Sequence, residues 1–149
     1  MDADNFEANL GISGGAGFAS NWSISDSSAN TFQSGGNAYS GNRYMRLRQT
    51  HTASRTLSNA ATAPNYTITY SIRLNGYDNG ETAYLETRKN GTGLWTIVRT
   101  FSRPTLSNST FYLFTDTLST TVGQKFEIRF RGNANNTNEY LYIDEVFLR

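Results

Sequence analysis

The chain has 149 residues, no cysteine and a formal net charge of +1. That length suits one domain with a sizeable core. The missing cysteines exclude a disulfide framework, thiolate metal sites and a cysteine nucleophile, and so small a charge gives no global field for nucleic acid or membrane. The basic set is eleven Arg against two Lys, and Ser, Thr and Asn make up about a third of the chain, a composition common in secreted microbial proteins. No apolar run approaches the roughly 18 residues of a membrane-spanning helix. Met1-Asp2-Ala3 reads as a start placed on a fragment without a signal peptide, so a longer parent is expected.

In chain order, residues 5–8 and 22–25 are the first predicted strands. The Gly-rich loop 11–17 lies between them, and no helical pattern follows it, which argues against a phosphate cradle. Tyr44-Met45-Arg46-Leu47-Arg48 alternates, with Met45 and Leu47 inward, and 54–57 is a further short strand. Tyr66-Thr67-Ile68-Thr69-Tyr70-Ser71-Ile72-Arg73-Leu74 is the clearest case: every even position is large and apolar, every odd one polar. Turn signals at 75–80 and 89–93 bracket a strand at 82–88. Strands at 94–101 and 111–118 follow, then the alternating Phe126-Glu127-Ile128-Arg129-Phe130-Arg131. A polar loop, 132–138, leads to the last strand. There Ile143 shares no parity with Val146 and Leu148, so a bulge is predicted at Asp144 and Glu145. No sustained helical period occurs. The reading is all-β: a single domain over residues 1–149, built as a two-sheet antiparallel β-sandwich of the jelly-roll kind. The predicted core takes the even positions 66–74 together with Phe6, Leu47, Leu85, Val98, Leu113, Phe126, Ile128, Phe130, Ile143, Val146 and Leu148.

Catalysis is not expected. The only histidine, His51, sits in a polar loop with no nucleophile motif, and one His cannot form a His-spaced zinc site. The twelve Asp and Glu are scattered, and nothing sets two of them facing each other. A cation with oxygen ligands is a different matter. First and last strands of a jelly roll commonly run side by side, which would bring Glu7 to Asp144, with carbonyls of loop 35–43 completing a calcium shell.

Four stretches stand in a characteristic order: Asp4-Asn5-Phe6-Glu7, Asn21-Trp22, Tyr39-Ser40-Gly41-Asn42-Arg43-Tyr44-Met45-Arg46-Leu47 and Tyr142-Ile143-Asp144-Glu145-Val146-Phe147-Leu148. The series resembles the frame of jelly-roll carbohydrate-binding modules of the galactose-binding-like class, which MAM-like extracellular domains share, and it covers essentially the whole chain. The resemblance implies a structural calcium (Ca2+) on Glu7 and Asp144, helped by backbone carbonyls near Asn5 and around Asn42 and Arg43. Asn37 and Ser40 offer only neutral oxygens where some relatives use a second carboxylate. It implies a secreted, extracellular and monomeric module without catalysis, which targets an appended enzyme to a polysaccharide. A MAM-like adhesion or protein-interaction module is the alternative, and a small polysaccharide lyase or hydrolase a third reading. Trp22 falls at a structural position and is placed in the core.

Sugar sites pair an aromatic ring with a few orienting polar groups. Alternation sends Tyr84, Glu86 and Arg88 outward together, and places Tyr112 and Asp116 on an outer face if Phe114 is set aside. With Leu94 and Val98 inward, Trp95 and Arg99 face out. The opposite parity buries Trp95 with Ile97 and Phe101, but buries Arg99 as well. The candidate ligand-binding set is Trp95, Tyr84, Tyr112, Arg88 and Arg99. Outward arginines suit an acidic polysaccharide rich in uronic acids, or serve as ordinary partners of Glu81, Glu86 and Glu127.

Overall fold

The computed structural model describes residues 2–57, 61–89 and 92–149. Strands β1 (Asp2–Asp4), β2 (Ser23–Ile24), β3 (Phe32–Ser34), β4 (Arg43–Arg48), β5 (Thr52–Thr56), β6 (Asn65–Asn75), β7 (Thr82–Lys89), β8 (Thr96–Ser102), β9 (Phe111–Ser119), β10 (Phe126–Asn133) and β11 (Tyr140–Leu148) build two sheets. Sheet A runs β3-β4-β11-β6-β9, with β1 also on β11; sheet B runs β2-β5-β10-β7-β8. Every strand pairing is antiparallel. This is the expected two-sheet sandwich. Among the described residues, helix is confined to α1 (Ser28–Thr31) and a 3-10 turn at Gly11–Ser13, as the missing 3.6-residue period requires.

The inner faces follow alternation. Ile68, Tyr70, Ile72 and Leu74 of β6 are fully buried, as are Leu85, Ile128 and Phe130 from sheet B. Tyr70 meets Phe130 and Phe101 edge-on across the core, at centroid distances of 5.4 and 5.9 Å. Trp22 is buried, as expected.

Strand β11 holds sheet A together. One side pairs with β6 throughout; the other pairs with β4 over Tyr140–Ile143 and with β1 from Val146 onward. The partner changes at the predicted bulge. The register with β6 jumps between Asp144 and Phe147, Glu145 takes φ 53°, and its N–H donates to Asp144 Oδ1 at 2.8 Å. One extra residue lets Ile143 and Val146 both enter the core.

Three expectations need correction. Residues 5–8 are not a strand: β1 ends at Asp4, whose Oδ1 accepts the Phe6 N–H at 2.8 Å, and Phe6 turns to φ 63°. Leu113 lies opposite Ser71 on the outer face, 58% exposed, because β9 sends Tyr112, Phe114 and Leu118 inward instead. Leu94, expected inside, is 93% exposed in the β7–β8 connection. Of the predicted turn at 89–93, Asn90 and Gly91 lie outside the described residues.

A buried ion pair joins β1 to sheet B. Asp4 Oδ2 accepts from Arg55 Nη1 at 3.0 Å and from Trp22 Nε1 at 2.8 Å. Arg55 Nε donates to the Ser20 carbonyl at 2.9 Å, and its guanidinium lies 4.2 Å from the Phe18 ring centre. Burial pulls the Arg55 guanidinium down from its ordinary value, with Asp4 opposing. Arg55→Met should cost about 3–5 kcal/mol, because it leaves Asp4 buried and uncompensated. The readout is the urea midpoint. Adding Asp4→Ala to Arg55→Met should recover part of the loss; no recovery would mean that the bonds Asp4 accepts from Phe6 and Trp22, not its charge, hold the site.

Candidate functional site

The outer face of sheet B carries a ladder of paired charges ending in aromatic rings. Register sets Arg131 opposite Tyr84, Arg129 opposite Glu86 and Glu127 opposite Arg88. Alternation therefore projects all six side chains from one surface. Arg129 Nε and Arg131 Nε both donate to Glu86 Oε1, at 3.0 and 2.9 Å, and Arg88 Nε donates to Glu127 Oε2 at 3.1 Å. Glu86 is buried despite its outward direction, because these guanidinium groups cover it. The Glu86 bond holds the Arg131 guanidinium above its ordinary value. The Arg131 guanidinium lies 4.3 Å from the Tyr84 ring centre; those of Arg88 and Arg129 lie 4.4 and 4.3 Å from that of Trp95. Both rings are half-buried.

Two members of the expected set are elsewhere. The β7–β8 register passes from Leu85↔Arg99 directly to Glu86↔Ile97, so Val98 is an extra residue. This bulge resolves the parity conflict between Trp95 and Arg99. Ile97 shares the outward parity of Glu86, while Arg99 shares the inward parity of Leu85. Arg99 turns to Asp116 with bonds of 2.6–3.0 Å and lies over Phe114 at 4.5 Å, at the open edge between the sheets. Tyr112 lies opposite Ile72 and packs on the core; its hydroxyl accepts the Ser107 N–H at 3.0 Å. The face thus keeps Trp95, Tyr84 and Arg88, loses Tyr112 and Arg99, and gains Glu86, Glu127, Arg129 and Arg131. The alternation of β7 and β10 already carried that gain.

At the chain ends, Glu7 and Asp144 grip one loop. Glu7 Oε1 accepts the N–H groups of Asn42 and Arg43 at 2.9 and 2.7 Å; Asp144 Oδ2 accepts those of Tyr39 and Ser40 at 3.0 and 3.1 Å. The Asn42 carbonyl accepts the Gly35 N–H at 2.8 Å, and Asn5 Oδ1 accepts the Glu7 N–H at 3.3 Å. Among the described residues no cationic side chain pairs with either carboxylate. Burial pushes the Asp144 carboxyl up to about 6, against the pull of the surrounding amides.

A separate acidic grouping could hold a metal ion: Asp78, Glu81 and Glu139 bring carboxylate oxygens within 4.8 Å of one another. Burial raises the Glu139 carboxyl, and Glu81 and Asp78 add to the rise. Glu81 and Glu139 also brace these loops: Glu81 accepts the N–H groups of Asp78 and Asn135, and Glu139 that of Asn136. His51 lies in the β4–β5 connection, with Nδ1 2.9 Å from Ser25 Oγ and Nε2 3.8 Å from Asp26 Oδ2. Ser25 Oγ accepts the Thr52 N–H at 2.8 Å, a loop brace rather than a free nucleophile.

No family model and no curated protein matches the chain. Solved structures do. Over 98% of its length the chain is similar to part of a Clostridium thermocellum xylanase, the CBM22-1–GH10 modules of xylanase 10B complexed with xylohexaose, with TM-score 0.67 and 14% identity; the match covers 27% of that chain. A family 61 carbohydrate-binding module complexed with β-1,4-galactotriose matches with TM-score 0.58 and 16% identity, covering 97% of each chain. The K2 adhesin domain of Lys-gingipain matches with TM-score 0.58 and 16% identity, over 99% of this chain and 96% of that one. These likenesses support the two-sheet antiparallel β-sandwich, a fold that these carbohydrate-binding modules and the adhesin domain share.

Gly41 is the tightest point of the loop that Glu7 holds. It has φ +63°, and a Cβ there would run into the Glu7 carboxylate. Gly41→Ala should therefore displace Glu7 and cost about 1–3 kcal/mol, by backbone strain and lost hydrogen bonds. Thermal melting reads this; an unchanged midpoint would show that the loop is not anchored through Glu7.

Proposed function

We infer that the chain is a carbohydrate-binding module without catalysis, which binds a polysaccharide on the outer face of sheet B. The observation that carries this reading is the ladder of Tyr84, Arg131, Glu86, Arg129, Trp95 and Arg88. Ion pairs to Glu86 and Glu127 lock the arginines, and the guanidinium groups in turn cover both rings, so little rotamer freedom is lost on binding. Guanidinium N–H groups and carboxylate oxygens offer donors and acceptors to sugar hydroxyls, and the two rings offer apolar edges beside them. Glu86 and Glu127 neutralise much of the cationic charge, which favours a neutral, hydroxyl-rich chain on this face. The same carboxylates are committed to arginines, which suits orientation rather than proton transfer.

In the xylanase the similar module belongs to a chain that also has a GH10 module. By analogy this module is secreted, monomeric and joined to a polysaccharide-active enzyme, whose effective concentration at the glycan it raises. The adhesin likeness favours a second reading, a protein-interaction module on the same fold. Affinity electrophoresis separates them. The wild type should be retarded by xylan or galactan, and Trp95→Ala and Tyr84→Ala should each weaken retention about tenfold or more, near 1.4 kcal/mol. Unaltered wild-type mobility on every polysaccharide would turn the reading toward adhesion.

Calcium is proposed at Glu7 and Asp144. Both are hard oxygen ligands without a cationic partner, both hold the same loop, and one is fully buried. An ion there would supply the positive charge that the burial of Asp144 lacks. The Asn42 carbonyl, already bonded to Gly35, is the weakest member of the expected shell, and Asn5 and Arg43 would contribute through their backbone. Saturation at a hundredfold excess over the dissociation constant would stabilise the fold by about 2.7 kcal/mol. Calcium should raise the melting midpoint by several degrees over chelator-treated protein, and Asp144→Asn should abolish the difference. Equal midpoints with calcium and with chelator would remove the ion from the account.

A further inference from the structure

Arg48 on sheet A pairs with Asp26, as the arginines of sheet B pair with Glu86 and Glu127, but two other arginines of sheet A do not. On the outer face of sheet A, register sets Arg46 opposite Tyr142, Tyr142 opposite Arg73, and Arg73 opposite Phe111. The row reads cation, ring, cation, ring across four strands, and the two arginine backbones stand roughly 10 Å apart at ordinary strand spacing. Among the described residues neither arginine forms an ion pair. Arg46 Nε donates to the Asn30 carbonyl at 2.9 Å, with its guanidinium 4.3 Å from the Tyr140 ring centre. Arg73 is less well served. Nη1 and Nη2 make only long contacts, 3.4 Å each, to Oδ1 of Asn37 and of Asn75. Its Nε is buried with no partner. Its guanidinium lies 4.9 Å from the Tyr142 ring centre and 5.8 Å from that of Phe111. Tyr39, 45% exposed, packs edge-on against Phe111 at 5.6 Å and forms the rim.

A planar fork of five donors held by two long neutral contacts is suited to bidentate capture of a carboxylate. Tyr142 is buried beneath the guanidinium and backs it, while the more exposed Phe111 and Tyr39 suit the apolar face of a sugar, and the amides of Asn37 and Asn75 suit its hydroxyls. Together they complement a uronate: a carboxylate on a ring with hydroxyls. We propose that Arg73, framed by Tyr142, Phe111 and Tyr39, binds the carboxylate of a uronic-acid residue in an acidic polysaccharide, on the sheet opposite the Trp95 face. That the ligand is a saccharide rests on the module reading; the anionic site rests on the geometry of sheet A.

The test is affinity electrophoresis in gels containing polygalacturonate, neutral xylan or dextran sulfate. The wild type should be retarded by polygalacturonate. Arg73→Gln should weaken that retention roughly tenfold or more, and Tyr39→Ala, at the exposed rim, should weaken it less. Trp95→Ala should leave it intact. On xylan the order should reverse, with Trp95→Ala impaired and Arg73→Gln unaffected, so a failure of the Trp95 face is distinguishable from a failure of this site. Arg73→Lys keeps the charge without the fork and should recover only part of the binding, which guards against a folding defect in Arg73→Gln. The proposal is overturned by an unretarded wild type on polygalacturonate, by Arg73→Gln and Tyr39→Ala both running as wild type, or by equal retention on dextran sulfate, which would mark a general polyanion surface.

Discussion

Side chains alternate across a β-strand, and one inserted residue reverses everything beyond it. Two such insertions organise this molecule. In β11 the extra residue at Glu145 lets Ile143 and Val146 share the core, turns Asp144 toward the 39–43 loop, and marks the place where β4 gives way to β1. In β8 the extra Val98 leaves Trp95 and Ile97 outside while Arg99 and Phe101 turn in. The first insertion closes the fold around its chain ends. The second decides which aromatic residue reaches the surface of sheet B. Without the first, Glu145 would take the inward parity of Ile143, with no cationic partner there.

The charge distribution follows from the same alternation. Arg88, Arg129 and Arg131 stand opposite or diagonal to Glu86 and Glu127, and the ladder neutralises itself. Arg46 and Arg73 flank Tyr142 instead, and their neighbours are rings and amides. A molecule of net charge +1 can therefore present one nearly neutral polar face and one cationic face on opposite sheets. Composition alone groups these arginines together; register separates them.

Much of this was legible in the sequence. The strands of 66–74 and 126–131 announced themselves through uninterrupted alternation, and the bulge at Asp144 through a conflict of parity. Tyr84, Glu86 and Arg88 could be assigned to one face because Ala83 and Leu85 between them fix the direction. Arg99 and Tyr112 could not. The Val98 bulge leaves no mark in a stretch where both parities bury something costly, and β9 carries apolar residues on both faces, so Leu113 and Tyr112 compete for the core on equal terms. The end of β1 at Asp4 was also hidden, because it depends on Asp4 being drawn inward by Trp22 and Arg55, residues 18 and 51 positions away. Pairing between distant strands is the information that local pattern lacks.

The central claim is that the outer face of sheet B, with Trp95 in it, meets a glycan. The chain has only two tryptophans, and they occupy opposite environments: the Trp22 indole N–H is buried against Asp4, while Trp95 lies on the face. A 15N-correlation titration with xylo- or galacto-oligosaccharides follows both indole N–H resonances at once. The account predicts a saturable shift of the Trp95 resonance with Trp22 unmoved. A Trp95 resonance that stays in place while the protein is retained on the same glycan would contradict it.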